Sequence, residues 1–252
     1  MNKLGLKIWS TNVDYINLCN ELYNKGVFNY IELYSVPMSF NKYIKFWMNL
    51  NIPYIIHAPH FSGGLNFSLR EHQHTNLKLA HQAIHYADKL KATYIIFHPG
   101  VGGTYSETIY QIKKINDSRI LIENKPYWGL HDELCVGHSP EEIKLITEEV
   151  RIGFCFDIGH AVCSANAKKI DPMKYINEFN DLDPVMYHLS DGDYSGIHDR
   201  HDHFGHGSFP IKDIIKIIRK HTMISIETIK NSFNNLDDFI ADIEFLKNLG
   251  IN

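Results

Sequence analysis

The chain has 252 residues, 44% hydrophobic and 21% charged, so it can bury one large core and is neither disordered nor fibrous. Its net charge of −4 and pI near 6.5 exclude the broad basic footprint of an indiscriminate nucleic-acid binder, though not a local basic groove. No apolar run approaches the ~20 residues of a membrane span.

Short apolar, β-rich runs alternate with longer helical patterns from end to end. The runs predict strands over 5–10, 30–35, 54–57, 94–98, 120–124, 153–157, 186–190 and 224–227. The patterns between them predict helices over 12–25, 41–51, 74–90, 106–115, 140–149, 172–179, 211–221 and 236–249. Ser139 before Pro140 and Asp171 before Pro172 are helix-capping pairs. Strands that each precede a helix argue for a parallel sheet with right-handed crossovers. Closed on itself, that sheet is a (β/α)8 TIM barrel, α/β in class; a doubly wound open sheet is the alternative. The sizeable irregular stretches are 162–171 and 191–210, and no linker divides the chain, so one domain over 1–252 is expected.

Ionisable residues fall where the strands end. His57 closes the third (YIIHAPH), His98 the fourth (YIIFHPG) and Glu123 the fifth (ILIEN). Asp157 closes the sixth (GFCFDIGH), His188 the seventh (MYHLSDGD) and Glu227 the eighth (ISIETI). Alternation puts Asp157 on the face of Cys155 and turns Phe154 and Phe156 toward the helices. Charges buried together at a barrel mouth are costly unless cations share them. Imidazoles with carboxylates suit zinc, manganese or iron better than calcium. His160 follows Asp157 closely, so a second ligand can leave the same strand end. The segment 198–207, HDRHDHFGHG, adds Asp199 and His201, then glycines that let the backbone fold back over the site. Lys125 and Arg200 adjoin these positions and are candidate contacts for an anionic substrate. Tyr127 and Trp128 are candidates for the pocket mouth.

Taken in order, HxP, FHPG, IEN, DxGHA, HLxD, DRHxxxGxG and ETI resemble endonuclease IV, the second family of apurinic/apyrimidinic endonucleases, within the xylose isomerase-like TIM-barrel superfamily. The resemblance spans roughly residues 57–229. It implies three divalent ions, zinc foremost, with manganese an option at one site. The first would be held by His57, His98 and Glu123. The second would share Glu123 and add Asp157, His188 and Glu227; the third would take His160, Asp199 and His201. It also implies phosphodiester hydrolysis, at abasic sites in DNA, leaving a 3′-hydroxyl and a 5′-deoxyribose phosphate. Metal ions suit that chemistry because they activate water and neutralise the leaving oxygen. Glu123, Glu227 and His160 are then the catalytic candidates, and Lys125, Arg200 and His60 the substrate contacts. DNA or a small phosphorylated or sugar compound is the implied partner, with no membrane and no protein partner.

The loops depart from that pattern. LGLKIWSTNVDY lacks the family's Gly- and Ser-rich first loop, and His60 replaces the tyrosine of HxxY. NKPYWG follows Glu123 in place of a Thr-Ala-Gly-rich loop, and His206 stands where an acidic residue is familiar. DNA binding would live in these loops, so the metal set is better supported than the DNA substrate. The runner-up resemblance is to sugar or sugar-phosphate isomerases and epimerases of the superfamily. Those imply one divalent ion on Glu123, Asp157, His188 and Glu227, with the two glutamates as acid and base. His160 and Arg200 would contact sugar oxygens, and Glu32, in YIELYS, matches their Val-Glu-Leu step. That reading leaves His57, His98, Asp199 and His201 without a task. A binding module without turnover is a third class, and no missing ligand type supports it.

Other features point to ordinary structure. Cys19, Cys135, Cys155 and Cys163 form no CxxC pair and read as reduced, buried thiols. His81 and His85, spaced i, i+4, fall on an outer helix and read as packing or surface residues. MNKLGLKIWS has no signal-peptide run, so a cytoplasmic location is expected.

Overall fold

In the computed structural model, which describes residues 1–129 and 131–251, the apolar runs become eight short strands. They are β1 (Lys3–Trp9), β2 (Tyr30–Tyr34), β3 (Tyr54–His57), β4 (Ile95–Phe97), β5 (Ile120–Glu123), β6 (Gly153–Asp157), β7 (Met186–Leu189) and β8 (Met223–Ile226). They pair in parallel in chain order, and β1 closes against β8. Around this barrel run α1 (Ile16–Asn24), α2 (Phe40–Met48), α3 (Gln73–Leu90), α4 (Tyr105–Lys113) and α5 (Pro140–Val150). They are followed by α6 (Ile158–Ala167), α7 (Pro172–Asn180), α8 (Ile211–Ile217) and α9 (Asp237–Asn248). The architecture is the TIM barrel expected from the alternation. Among the described residues, no helix is long and apolar enough to cross a membrane.

The expected caps form. Ser139 accepts from the Glu142 backbone N–H and Asp171 from that of Lys174, each with a proline in the first turn. Two segments differ from expectation. Residues expected to be irregular from 162 onward instead continue α6, which starts directly at the end of β6. Asp157 caps it by accepting from the His160 N–H at 2.7 Å. Eight of its ten residues are buried, so IGHAVCSANA carries no amphipathic stripe by which a helix is recognised. Helix α8 ends earlier than expected, because Ile218 turns to an extended ψ of 127°.

The pleat sorts each strand into two cores. Outward residues join the helices: Phe156 stacks on Phe154 (5.6 Å) and on Phe179 of α7 (5.5 Å). Inward residues form a separate apolar plug of Tyr30, Ile55, Ile96, Leu121, Cys155 and Met186. Two residues further along each of those strands stands an ionisable group: Glu32, His57, His98, Glu123, Asp157 and His188, in that order. The remaining two strands keep the step, Gly5 leading to Lys7 and Ser225 to Glu227. An apolar floor therefore carries an ionic layer.

Gly5 is glycine because the Tyr30 ring crosses the barrel there. A Cβ on Gly5 would lie 2.3 Å from two atoms of that ring. Gly5→Ala should cost about 1–3 kcal/mol through overpacking. A chemical-denaturation midpoint equal to wild type would show that the plug yields freely.

Candidate metal centre

Glu123 is the hub of the ionic layer. Its Oε2 lies 3.1 Å from His57 Nε2 and 3.3 Å from His188 Nδ1. Its Oε1 lies 3.1 Å from His98 Nε2 and 3.2 Å from His160 Nδ1. Four imidazoles thus converge on one carboxylate. Glu227 reaches His188 Nδ1 at 2.6 Å through Oε1, while its Oε2 faces His201 Nδ1 at 3.8 Å. Asp157 Oδ2 lies 3.6 Å from His160 Nδ1 and 3.9 Å from His188 Nδ1. Asp199 Oδ2 joins the third group, 2.8 Å from His201 Nε2 and 3.4 Å from His160 Nε2.

Local structure aims these groups. The Asn124 side chain donates to the Asp157 carbonyl (2.8 Å) and accepts from the Asp157 N–H (2.7 Å), locking the end of β6 to that of β5. The long loop after β7 is pinned by backbone bonds both ways between Asp191 and Asp202 (3.0 Å each). The buried Asp191 carboxylate also accepts from the Gly205 and Phe209 N–H groups at 2.9 and 3.0 Å. His201 adopts a left-handed φ of 52°, a conformation that histidine tolerates better than most residues and that suits a functional position. Asp242 of α9 accepts from His203 Nδ1 (2.8 Å), the Phe204 N–H (3.0 Å) and Thr228 Oγ1 (2.6 Å), tying this loop to the end of β8.

The charges are mutually dependent. Burial would raise the Glu123 carboxyl, but His98 and His188, with hydrogen bonds from His160 and His188, hold it well below the usual carboxylate range. Asp157 has less help, and burial pushes it up to about 6. His160 is raised to about 10, burial being outweighed by the Asp157 carboxylate and by bonds to Asp199 and Glu123. His98 goes the other way, and burial holds it well below the ordinary value. His60 is also lowered by burial, to about 3, with Lys125 and His57 adding to the effect.

The donor set fits divalent ions. His98 Nδ1 and Nε2, His188 Nδ1, Asp199 Oδ2 and His201 Nδ1 are buried without a hydrogen bond of good geometry among the described residues. Polar atoms are rarely left so, and all but His98 Nδ1 stand close to a carboxylate or imidazole of the same group. Three-residue groups whose ligand atoms lie within 4.8 Å of one another include His57, His98 and Glu123, and Glu123, Asp157 and His160.

A cavity of about 520 Å³ opens above the layer. Of the residues predicted for the site, His57, His60, His98, Glu123, Lys125, His160, Asp199, His201 and Glu227 line it. Asp157 and His188 are buried behind that lining. Arg200 lies outside it: its side chain is exposed and its Nε pairs with Asp202 Oδ2 at 3.0 Å. Lys125 Nζ sits 3.3 Å from His160 Nε2 and 4.0 Å from Glu123 Oε1. Trp128 lines the cavity, whereas Tyr127 packs edge-on against it and His138. His81 and His85 are exposed on α3, outside the cavity lining, and His85 packs edge-on against Phe40.

Sequence reasoning passed over Lys7 and read Glu32 only as a match to the isomerases, yet both belong to the layer. Lys7 Nζ lies 3.3 Å from Glu32 Oε1 and pairs with Glu227 Oε1. Burial would lower its pKa, but Glu227, Glu32 and Glu123 outweigh that and keep the ammonium charged. Glu32 Oε2 receives His188 Nε2 at 3.0 Å and Ser225 Oγ. Their alternation with Gly5 and Tyr30 was the available signal. Lys230, pushed down by burial to about 8, and the exposed Trp9 and Phe233 complete the mouth.

Residues 28–249 match the family described as xylose isomerase-like TIM barrel. No curated protein matches in sequence. A D-tagatose 3-epimerase-like protein superposes with a TM-score of 0.76 at 20% identity, covering 98% of this chain and 96% of its own. Endonuclease IV from Thermus thermophilus gives 0.73 at 18%, covering 98% and 99%. A family 2 AP endonuclease from Brucella melitensis gives 0.70 at 12%, covering 98% and 99%. At these identities the structures share the fold, and the match over 28–249 adds the family: the chain belongs to the xylose isomerase-like TIM barrels.

Proposed function

We propose that the protein is a metal-dependent hydrolase of phosphodiesters, with abasic DNA and small phosphodiesters as the first substrates to test. The observation that supports this reading is the convergence of His57, His98, Asp199 and His201 with Glu123, Asp157, His160, His188 and Glu227. A single-ion site has no use for so many ligands. In this reading His57, His98 and Glu123 hold one ion, Glu123, Asp157, His188 and Glu227 a second, and His160, Asp199 and His201 a third. Bound there, zinc-like ions would make water nucleophilic near neutral pH and offset the charge on phosphate and leaving oxygen.

The chain's own groups do the positioning. Glu227 spends Oε1 on Lys7 and His188, which leaves Oε2 to face the cavity side of the loop. Lys125 and Lys230 put positive charge on the wall where an anionic group would rest. His60 is neutral and can donate a hydrogen bond without adding charge. Trp9, Trp128 and Phe233 offer flat apolar surface at the mouth, suited to a sugar face or a base.

A second reading is isomerisation or epimerisation of a sugar or sugar phosphate at one ion. It draws support from Glu123 and Glu227, which approach His188 Nδ1 from β5 and β8 at 3.3 and 2.6 Å. Two carboxylates so placed could flank a carbon beside a carbonyl.

Elemental analysis of protein purified without added metal or chelator separates the two. About three zinc-like ions per chain are expected, and a count of about one would favour the isomerase. Glu227→Gln should reduce turnover on a phosphodiester at least about 100-fold with the melting transition retained; wild-type turnover would sink the assignment. His57→Ala and Glu123→Ala should both be severe. A silent His57→Ala beside an inactive Glu123→Ala would transfer support to the single-ion reading.

A further inference from the structure

One group with metal-type geometry belongs to neither reading. Glu32, His57, His188 and Glu227 each offer a ligand atom, and these four atoms lie within 4.8 Å of one another. Two carboxylates and two imidazoles form a donor set typical of zinc or manganese. Glu32 and His188 are completely buried, and Glu32 Oε1 has no hydrogen bond of good geometry among the described residues.

A cation already reaches this group. The Lys7 ammonium lies 3.3 Å from Glu32 Oε1 and is bonded to Glu227 Oε1. It arrives from β1, directly beside β2 in the sheet, where Lys7 and Glu32 are register partners. A divalent ion and an ammonium cannot share Glu227 Oε1 at contact distance, because like charges repel strongly in a water-poor interior. The amine therefore balances the two carboxylates and blocks the place at the same time.

We propose that Lys7 is a built-in monovalent stand-in for a divalent ion in the Glu32–His57–His188–Glu227 group, and that removing its amine opens the group to one further zinc-like ion. The consequence is a centre whose innermost positive charge is covalently attached and cannot be chelated. Glu227 Oε1 is kept occupied, so only Oε2 faces outward. The inference rests on the proposed function in that His57, His188 and Glu227 are shared with the Glu123 ligand sets.

The test compares wild type with Lys7→Met, Lys7→Arg and the double variant Lys7→Met/Glu32→Gln. Each protein is saturated with zinc and freed of excess, and its ions per chain are counted by elemental analysis. Cobalt titration followed by visible absorption gives a second readout. Lys7→Met should hold one more ion per chain than wild type, with a new cobalt band. Lys7→Arg, which keeps the charge, should match wild type, and the double variant should return to the wild-type count. A folded Lys7→Met with the wild-type count overturns the inference, as does an extra ion in Lys7→Arg. If Lys7→Met fails to fold both with and without zinc, Lys7 is a structural ion-pair partner and the inference is likewise overturned. Folding of Lys7→Met only with zinc, with the extra ion bound, supports it. A wild type that takes up no ion sinks the metal-centre reading alone, because the difference between Lys7→Met and wild type is read independently.

Discussion

Burial of like charge is the constraint around which this barrel is arranged. Glu32, Glu123, Asp157, Asp199 and Glu227 all face one interior, and each would be costly there unless paired. The pairing is collective. Four imidazoles crowd Glu123, and His98 and His188 hold its carboxyl well below the usual range against burial, while Cys155, Glu227, Glu32 and Glu123 hold His188 well above its ordinary value. Removing any one member leaves a partner exposed to the full desolvation cost, so effects of substitutions within the layer should not add.

The apolar plug makes that layer geometrically possible. Tyr30, Ile55, Ile96, Leu121, Cys155 and Met186 fill the barrel one step below, so the ionic side chains have a firm floor. Orientation comes from groups that need not touch a substrate. Asn124 clamps β5 to β6, Asp191 folds the loop after β7, and Asp242 ties that loop to β8. Ligands on strands and on a pinned loop hold their geometry better than ligands on free loops.

Loops at the strand ends decide which chemistry a TIM barrel performs, so one fold supports endonucleases and epimerases alike. In this chain the mouth is built from Trp9, Trp128, Phe233, Lys125 and Lys230 above the ionic layer. Its aromatics and lysines suit a ligand with a flat face and negative charge. The ionic residues belong to the strand ends, to His160 and to the 198–207 loop, whereas the mouth is built from the end of β1 and the segments after β5 and β8.

The sequence by itself determined the strand order, the two expected helix caps and the ionisable residues that close the strands. Ionisable residues that end strands are legible because strand ends are marked by hydropathy, and parallel strands in series put those ends at one mouth. On β6 the strand-end Asp157 marked the inner face, so alternation turned Phe154 and Phe156 outward. Only the tertiary structure decided which face of β1 and β2 is interior, and so that Lys7 and Glu32 join the layer. Alternation separates two faces but does not say which one the closed barrel encloses. Likewise only the folded loop decided that Arg200 pairs with Asp202 and lies outside the cavity, since the direction of a loop side chain depends on contacts distant in sequence. Helix α6 was hidden for the related reason that a segment buried on every side shows no period. The pairing of each ligand with its neighbours was also a tertiary decision, because it depends on distances across the barrel that no local pattern encodes.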